Sequence, residues 1–490
     1  MRFRSLALVA LACLSVGLRA QGDPGTVAKI IDEGKRNNQT RAHLEYLTGQ
    51  IGPRLTTSLA LQRACEWTAK KFREFGCENV HLEEWGEWPT GFDRGRNHIG
   101  RMVMPFARNF EFTTRSWTYG TNGLTRGPVM ALPATAEDAK ANAAKFKGAW
   151  VLMPRLAGRV TAEQRAAQNA IWDEIKGAGP HGQVTSSRNE LIITSGSYNV
   201  KIEDIPKDVV VMVRASDYDF IVAGMAAGYT AIEFDLVQSL RPGPVKNHNV
   251  IAEIPGTEFP DEVVIVSGHL DSWDGPGSTG TCDNGTGTMV ALEAARLLNV
   301  AGAKPKRTIR FIMWTGEEQG LHGSRRYVEM HRAELDKITA VLVDDGGTNY
   351  SGGLVGIESM KPMLEQATAV LNEAFPTLPV TIRVAATMPR GGGSDHAPFN
   401  QAGVPGFFWS ETGVADYGYI HHTQHDNIAA AINAYLIQSS VAAAVTSYNL
   451  ACADTMLPRA PAPAAGGGGG GGRATGGGGG SLIAYLGNRR

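Results

Sequence analysis

Residues 262–271 read EVVIVSGHLD, so a short apolar run is followed at once by a histidine and an aspartate. A run of this length without polar alternation is typical of a strand buried on both faces of a sheet. Further strand-like runs follow at 308–314, 338–343 and 406–409, and helical patterns lie between and after them at 287–298, 324–332, 361–375 and 429–452. This alternation predicts an α/β fold, with a mixed, mostly parallel central sheet that is flanked by helices.

Acidic and imidazole side chains follow successive predicted strands. They are His269 and Asp271, Glu317 and Glu318, Asp344 and Asp345, and His421 and His422, with Asp283 placed before a helix. The carboxyl ends of the strands border the ligand crevice of an open α/β sheet. We therefore expect these side chains to meet at one rim of the sheet.

The residue types in this set suit zinc, which binds imidazole nitrogens and carboxylate oxygens. A calcium site would favour oxygen ligands alone. Two zinc ions with three protein ligands each, sharing one carboxylate, need five ligands, and the candidates are His269, Asp283, Glu318, Asp345 and His422. Glu317 is then left over beside a ligand and is free to act as a base. Taken singly, Asp283 could be only a helix N-cap and Asp344–Asp345 only part of a turn, so the prediction depends on the joint pattern.

Six motifs after residue 267 occur in an order that resembles the M28 metallopeptidases. They are GHLDSW (268–273), CDNGTG (282–287), WTGEEQG (314–320), DGG (345–347), GSDHAPF (393–399) and HTQHD (422–426). Within that family the chain looks like the plasma glutamate carboxypeptidase branch, and the likeness extends to Ile51-Gly-Pro-Arg54 near the start. The middle of the chain resembles the protease-associated domain that such relatives carry.

The resemblance implies a role for each ligand candidate. It gives the first zinc to His269, Asp283 and Asp345, and the second zinc to Asp283, Glu318 and His422. His422, rather than His421, fits the His-Thr-x-x-Asp spacing of the family. Asn284 stands where many members have a second aspartate.

The remaining site residues are also implied by the resemblance. Glu317 matches the general base, and Asp271 matches the carboxylate that orients His269. Tyr417 stands where relatives often place a donor to the transition state, with Tyr419 as its rival. Asp395 is a further candidate for substrate contact.

The activity implied is that of a zinc metallopeptidase, a hydrolase that removes residues from the terminus of small peptides as an aminopeptidase or dipeptidase. A carboxypeptidase is the alternative, and Arg390 could then meet a substrate carboxylate. A single-zinc enzyme similar to glutaminyl cyclases and a non-catalytic binding protein are less favoured, because the complete set of five ligands is present.

Composition limits the function class further. Of 490 residues, 43% are hydrophobic and 19% are charged, with a net charge of −1, so no basic excess points to nucleic acid. Arg2 and Arg4 precede an apolar run that ends near Ala20, which predicts a cleaved signal peptide and export to the periplasm or the extracellular space. A membrane anchor is less favoured because the run is short, and no later segment is apolar enough to span a membrane. Relatives suggest a homodimer.

The chain divides into five predicted segments. They are a signal peptide (1–20), the N-terminal part of a peptidase domain (21–119), an inserted protease-associated-like domain (120–244), the metal-binding part of the peptidase domain (245–456) and a disordered tail rich in proline, alanine and glycine (457–490). Four cysteines remain after the signal peptide, and they allow three disulfide connectivities among which the sequence does not choose.

Overall fold

A computed structural model describes residues 21–156, 160–390 and 392–460. The predicted signal peptide and nearly all of the predicted tail lie outside the described residues. The helices are α1 Pro24–Arg36, α2 Thr40–Glu45, α3 Leu59–Glu74, α4 Ala136–Asn142, α5 Ala162–Lys176, α6 Ala215–Ala227, α7 Thr286–Val300, α8 His322–Met330, α9 Lys361–Ala374, α10 His396–Gln401, α11 Tyr417–Ile420 and α12 Asn433–Cys452. Among the described residues, no helix is both long enough and apolar enough to cross a bilayer.

Eighteen strands complete the described secondary structure. They are β1 Glu78–Arg94, β2 Ile99–Met104, β3 Arg108–Asn109, β4 Phe112–Thr114, β5 Thr125–Ala131, β6 Trp150–Leu152, β7 Gly182–Ser186, β8 Val210–Val213, β9 Ala231–Asp235, β10 Gln238–Ile254, β11 Phe259–His269, β12 Arg307–Trp314, β13 Ile338–Val343, β14 Tyr350–Ser351, β15 Gly353–Gly356, β16 Thr381–Val384, β17 Gly406–Phe408 and β18 Glu411–Thr412.

The main sheet has six strands in the order β1-β10-β12-β11-β13-β17. The neighbours β12, β11, β13 and β17 run parallel, whereas β1 and β10 add two antiparallel pairings at one side. The structure therefore confirms the predicted α/β fold with a mixed, mostly parallel central sheet.

Both faces of the main sheet are buried, which explains the uninterrupted apolar run of β11. Val264 and Val266 belong to the core on the side of α7 and α12. Val263 and Ile265 belong to a separate core on the opposite side, which includes Tyr327 of α8. Because successive side chains of a strand point to opposite faces, a strand covered by helices on both sides must be apolar at every position.

A second sheet of eight strands is built from residues between Ile99 and Asp235, in the order β3-β2-β9-β5-β6-β7-β8-β4. Its core is aromatic around Trp150 and Phe234, whose ring centroids lie 4.8 Å apart. The chain leaves the main sheet along β1 and returns along β10, and these two strands of 17 residues each pair with one another. The second sheet thus takes in strands that precede residue 120, and the predicted segment boundary cuts through it.

Side-chain hydrogen bonds cap the start of helices α3 and α5. Helix α3 begins with a side-chain cap, because the Ser58 hydroxyl accepts a hydrogen bond from the amide of Leu61 at 3.0 Å. Helix α5 has a capping box at Thr161 and Gln164, in a segment where no helix was predicted from the sequence.

The cysteines that follow the predicted signal peptide are buried and free, with no disulfide among the described residues. They are Cys65, Cys77, Cys282 and Cys452.

Candidate metal centre

The predicted ligands lie at the carboxyl ends of the parallel strands. His269 is the last residue of β11, Glu317 and Glu318 follow β12, and Asp345 follows β13. Asp283 lies in a short irregular turn, Thr281–Gly285, directly before α7. Since β11, β12 and β13 are parallel neighbours, their ends share one edge, and the side chains converge there as expected.

One group of ligands is formed by His269, Asp283 and Asp345, all of which are buried. The Nε2 atom of His269 lies 3.0 Å from Oδ1 of Asp345 and 3.3 Å from Oδ1 of Asp283. One nitrogen and two carboxylate oxygens of three side chains therefore face a common point, which is the donor set that zinc prefers. Asp344 is directed elsewhere, because its carboxylate accepts a hydrogen bond from Ser351.

A second group lies on the other side of Asp283. The Nε2 atom of His422 is 3.1 Å from Oδ2 of Asp283 and 2.9 Å from Oε2 of Glu318. Asp283 thus turns Oδ1 towards His269 and Oδ2 towards His422. A carboxylate with one oxygen in each group can bridge two metal ions.

A buried carboxylate oxygen supports a metal at this position. Oδ2 of Asp283 is buried and accepts no well-aligned hydrogen bond among the described residues, although Nε2 of His422 lies 3.1 Å away. A buried carboxylate oxygen in that condition carries a large desolvation penalty unless a cation neutralises it. The donor set and this buried oxygen together fit zinc.

Asn284 does not belong to either ligand group. Its amide nitrogen donates to the carbonyl of Asp344 at 2.7 Å, and its Oδ1 accepts from the amide of Gly287 at 3.0 Å. The residue that replaces the second aspartate of many relatives therefore ties the start of α7 to the end of β13.

Asp271 holds the loop that carries Glu317 and Glu318. Its carboxylate accepts the amides of both residues at 3.3 Å, together with the hydroxyl of Thr56 at 3.2 Å. The Nδ1 atom of His269 lies 3.0 Å from the main-chain oxygen of Asp271 and 3.6 Å from its carboxylate. His269 is thus oriented mainly by the Asp271 carbonyl.

Glu317 lies beside the first group without joining it. Its Oε2 is 3.9 Å from Nε2 of His269, and its side chain is 10% exposed. Burial raises the pKa of the Glu317 carboxyl well above its ordinary value, and the charge of His269 only partly opposes this. A carboxyl with a raised pKa can accept and return a proton near neutral pH.

The carboxyl groups of the cluster are buried close together, which disfavours their charged forms. Burial, followed by the charge of Asp283, raises the pKa of Glu318 to about 7, and burial likewise raises the pKa of Asp345. Burial alone would lower the pKa of His269, but the charges of Asp345 and Glu317 raise it well above its ordinary value. Without a metal these groups retain protons, so protons and metal ions compete for the same side chains.

The structure distinguishes between the two candidate histidines, His421 and His422, and between the two candidate tyrosines, Tyr417 and Tyr419. His421 stacks on His422 with centroids 3.7 Å apart, but its Nε2 is 3.7 Å from Oδ2 of Asp283, farther than that of His422. The ring of Tyr417 lies 5.0 Å from that of His421, on the metal side, whereas Tyr419 stacks on His425 at 4.1 Å. Geometry thus favours His422 over His421 and Tyr417 over Tyr419.

Asp395 is buried close enough to the ligand cluster for the charges of His269 and Asp345 to act on its pKa. Asp395 is 1% exposed, and neither of its carboxylate oxygens has a hydrogen-bond partner among the described residues. Burial raises its pKa to about 8. Contact with substrate would require this buried carboxyl to become accessible, whereas Arg390 is exposed at the surface.

Arg54 is a structural residue of the site whose role the sequence analysis did not assign. Its buried guanidinium donates to the carbonyls of Leu270 and Gly280, at 2.6 and 2.7 Å, and to that of Thr279 at 3.2 Å. These bonds join the end of β11 to the turn that carries Asp283. The only signal in the sequence was its place in the Ile51–Arg54 motif.

Comparison with known proteins finds one matching family model and relatives of similar sequence. Residues 249–446 match the model of peptidase family M28. Carboxypeptidase Q from Mus musculus is 29% identical over 440 residues, which cover 87% of this chain and 88% of the relative. Carboxypeptidase Q from Homo sapiens is 28% identical over 448 residues, which cover 89% and 91%.

Solved structures share the fold. The peptidase M28 precursor from Shewanella amazonensis superposes with a TM-score of 0.62 at 23% identity, over 89% of this chain and 99% of that one. The zinc aminopeptidase BSAP from Bacillus subtilis superposes with a TM-score of 0.51 at 21% identity, over 84% and 94%. The matched family region, 249–446, includes every residue of the two ligand groups described above.

Proposed function

We propose that this chain, which is similar to peptidase family M28 and to carboxypeptidase Q, is an exported di-zinc exopeptidase that cleaves the terminal bond of small peptides as an aminopeptidase or dipeptidase. The observation that carries the proposal is the position of Asp283, whose two oxygens face two different histidines, His269 and His422. One metal would be held by His269, Asp283 and Asp345, and the other by Asp283, Glu318 and His422.

Bound zinc supplies two effects, a lowered pKa of the attacking water and a polarised substrate carbonyl. Glu317 is the general base, because it is a carboxyl group close to the first ligand group and is not itself needed as a ligand. It takes the proton of the water and passes it to the leaving amine.

Asp271 and Tyr417 complete the proposed machinery. The carboxylate of Asp271 accepts hydrogen bonds from the amides of Glu317 and Glu318, so it fixes the positions of the base and of a ligand relative to each other. Tyr417 is the proposed hydrogen-bond donor to the developing oxyanion, since it lies on the metal side and burial raises its pKa, which keeps the phenol protonated.

Recognition of a free amine is favoured over recognition of a free carboxylate. The acidic groups around the metals suit an ammonium ion, and the buried arginine of the site already donates to main-chain carbonyls. A carboxypeptidase is the second candidate, because the relatives that match over most of their length carry that name. A single-zinc enzyme of the cyclase kind is disfavoured by the second ligand group.

A substrate panel tests the proposal. The mature, zinc-loaded protein is incubated with unblocked dipeptides and their N-acetylated counterparts, and amino acid release is measured. Cleavage of the unblocked set alone supports an aminopeptidase or dipeptidase, and cleavage of both sets indicates a carboxypeptidase. No cleavage of either set by protein shown to hold zinc would refute the exopeptidase proposal. Secretion of the full chain and its mass in solution test the proposed export and the homodimer.

A further inference from the structure

Residues 190–194, between β7 and β8 of the second sheet, reach the loop of His422, and we name this segment the strap. The amide of Thr194 donates to the carbonyl of His422 at 3.1 Å. Ile193 forms an isolated antiparallel bridge with Thr423, and the amide of Ile192 donates to Oε1 of Gln424 at 2.8 Å. The strap therefore lies along the main chain of His422 and the two residues after it.

His422 needs external support at this place. Its φ angle is +60°, in the left-handed region that residues with a side chain seldom adopt. Such a conformation persists only where the surrounding structure determines it. The hydrogen bond from Thr194 to the His422 carbonyl is a direct source of that support.

Gln424 anchors the strap to the second sheet. Its Oε1 accepts from the amide of Ile192, and its amide nitrogen donates to the carbonyl of Glu190 at 2.9 Å and to the carboxylate of Glu111 at 3.0 Å. Glu111 is paired in turn with Arg214 at 2.7 Å. Since Glu111 precedes β4 and Arg214 follows β8, the loop of His422 is tied to the edge of the second sheet.

The two ligand groups differ in their dependence on these contacts. His269, Asp345 and Asp283 are carried by β11, β13 and the turn before α7, which are parts of the main-sheet region. His422 alone among the ligands is carried by a loop that the strap holds. A displaced strap would therefore move a ligand of one metal ion and leave the three ligands of the other in place.

We propose that the strap is a positioning element for the second metal ion, so that the affinity of this ion depends on contact between the second sheet and residues 422–424. The inference rests on the proposed di-zinc function. It assigns the second sheet a role in completing the metal centre, in addition to any contact with substrate.

The main test uses Gln424→Ala, which removes two hydrogen bonds to the strap and one to Glu111, and no metal ligand. Zinc content and the two zinc dissociation constants are measured by competition with a chromophoric chelator. We expect one of the two dissociation constants, that of the His422 site, to rise by about 10- to 100-fold, as for other partners that orient metal ligands, with the other unchanged. An equal change at both sites would overturn the proposal, because it would indicate general destabilisation.

A second variant and a control sharpen the result. Gly275→Ala would place a methyl group against the Thr194 hydroxyl and push the strap away from the other side, so it should reproduce the effect of Gln424→Ala. Thr90→Val is the control, because it removes a 2.7 Å hydrogen bond between β1 and Val200 that lies away from the His422 loop. Weakening of the second site by Thr90→Val to the same extent would also overturn the proposal.

A measurement on the unaltered protein remains informative if a variant fails to fold. Because the coupling is reciprocal, zinc at the second site must strengthen the strap contact. Hydrogen exchange of the Thr194 amide should therefore slow when the second zinc equivalent is added, and an unchanged rate would count against the strap. An unaltered protein that binds only one zinc would instead refute the di-zinc function itself.

Discussion

Replacing Glu317 with glutamine separates catalysis from metal binding. The two side chains have the same shape, and Oε2 of the carboxylate lies 3.9 Å from Nε2 of His269, farther than either carboxylate ligand of that group. The substitution should therefore leave both zinc ions bound. It removes the group that accepts the proton, because an amide cannot act as a base.

The magnitude follows from the usual contribution of a positioned general base. We expect kcat to fall by about 100- to 10,000-fold, which corresponds to about 2.7 to 5.4 kcal/mol of transition-state stabilisation. KM should change little, since Glu317 is buried beside the metals and the change does not alter the walls of the cleft. The measurement is steady-state hydrolysis of an unblocked dipeptide, with zinc determined on the same sample.

The neighbouring residue provides the matched control. Glu318→Gln changes the next residue in the same loop, but Oε2 of Glu318 is 2.9 Å from Nε2 of His422. This variant should lose zinc from the second group, which Glu317→Gln should keep. A near-normal rate in Glu317→Gln, or loss of zinc equal to that in Glu318→Gln, would refute the assignment of the base.

Three further predictions concern the metal centre and its support. Asp283→Asn should weaken both zinc ions, because one carboxylate serves both groups, and zinc analysis after dialysis would contradict this if one site kept its affinity. Arg54→Met should lower the free energy of unfolding of the zinc-loaded protein by at least ~2 kcal/mol in urea titrations, since it leaves buried carbonyls without donors; a loss under ~0.5 kcal/mol would refute that role. The metal-free protein should become less stable as pH rises from about 5 to 8, because the pKa of Glu318 is raised to about 7 in the folded state, so this carboxyl favours folding only while protonated. Thermal unfolding in the presence of a chelator should show this fall in stability with pH, and added zinc should reverse it. A rise in stability with pH in the metal-free protein would contradict the role of the raised Glu318 pKa.

Much of the fold could be predicted because it depends on local pattern. The run 263–266 is apolar at every position because β11 is covered on both faces, and that requirement is visible in the linear sequence. The start of α3 was predictable for a similar reason, since a cap acts over three residues. Strand β10 was harder, because much of its first half is partly exposed and pairs with β1 without a continuous apolar run.

The ligand groups were predictable as a set and not in detail. Parallel strands bring their carboxyl ends to one edge, so the approach of His269, Glu318 and Asp345 follows from topology. The distribution of the two oxygens of Asp283 between two histidines is a matter of side-chain geometry within a tightly folded turn. The spacing of residues along the chain does not predict this arrangement of the Asp283 oxygens.

From the linear chain one can derive the α/β class, the edge at which the ligands meet and the chemistry that their residue types permit, because these depend on periodicity and residue chemistry. The contacts that hold His422, the burial of Asp395 and the carbonyl bonds of Arg54 were not derivable. Ile192 and Gln424 are separated by 232 positions, and their contact exists only after two sheets have formed and packed. Interactions of that kind depend on the relative placement of folded elements, which the local sequence pattern does not determine.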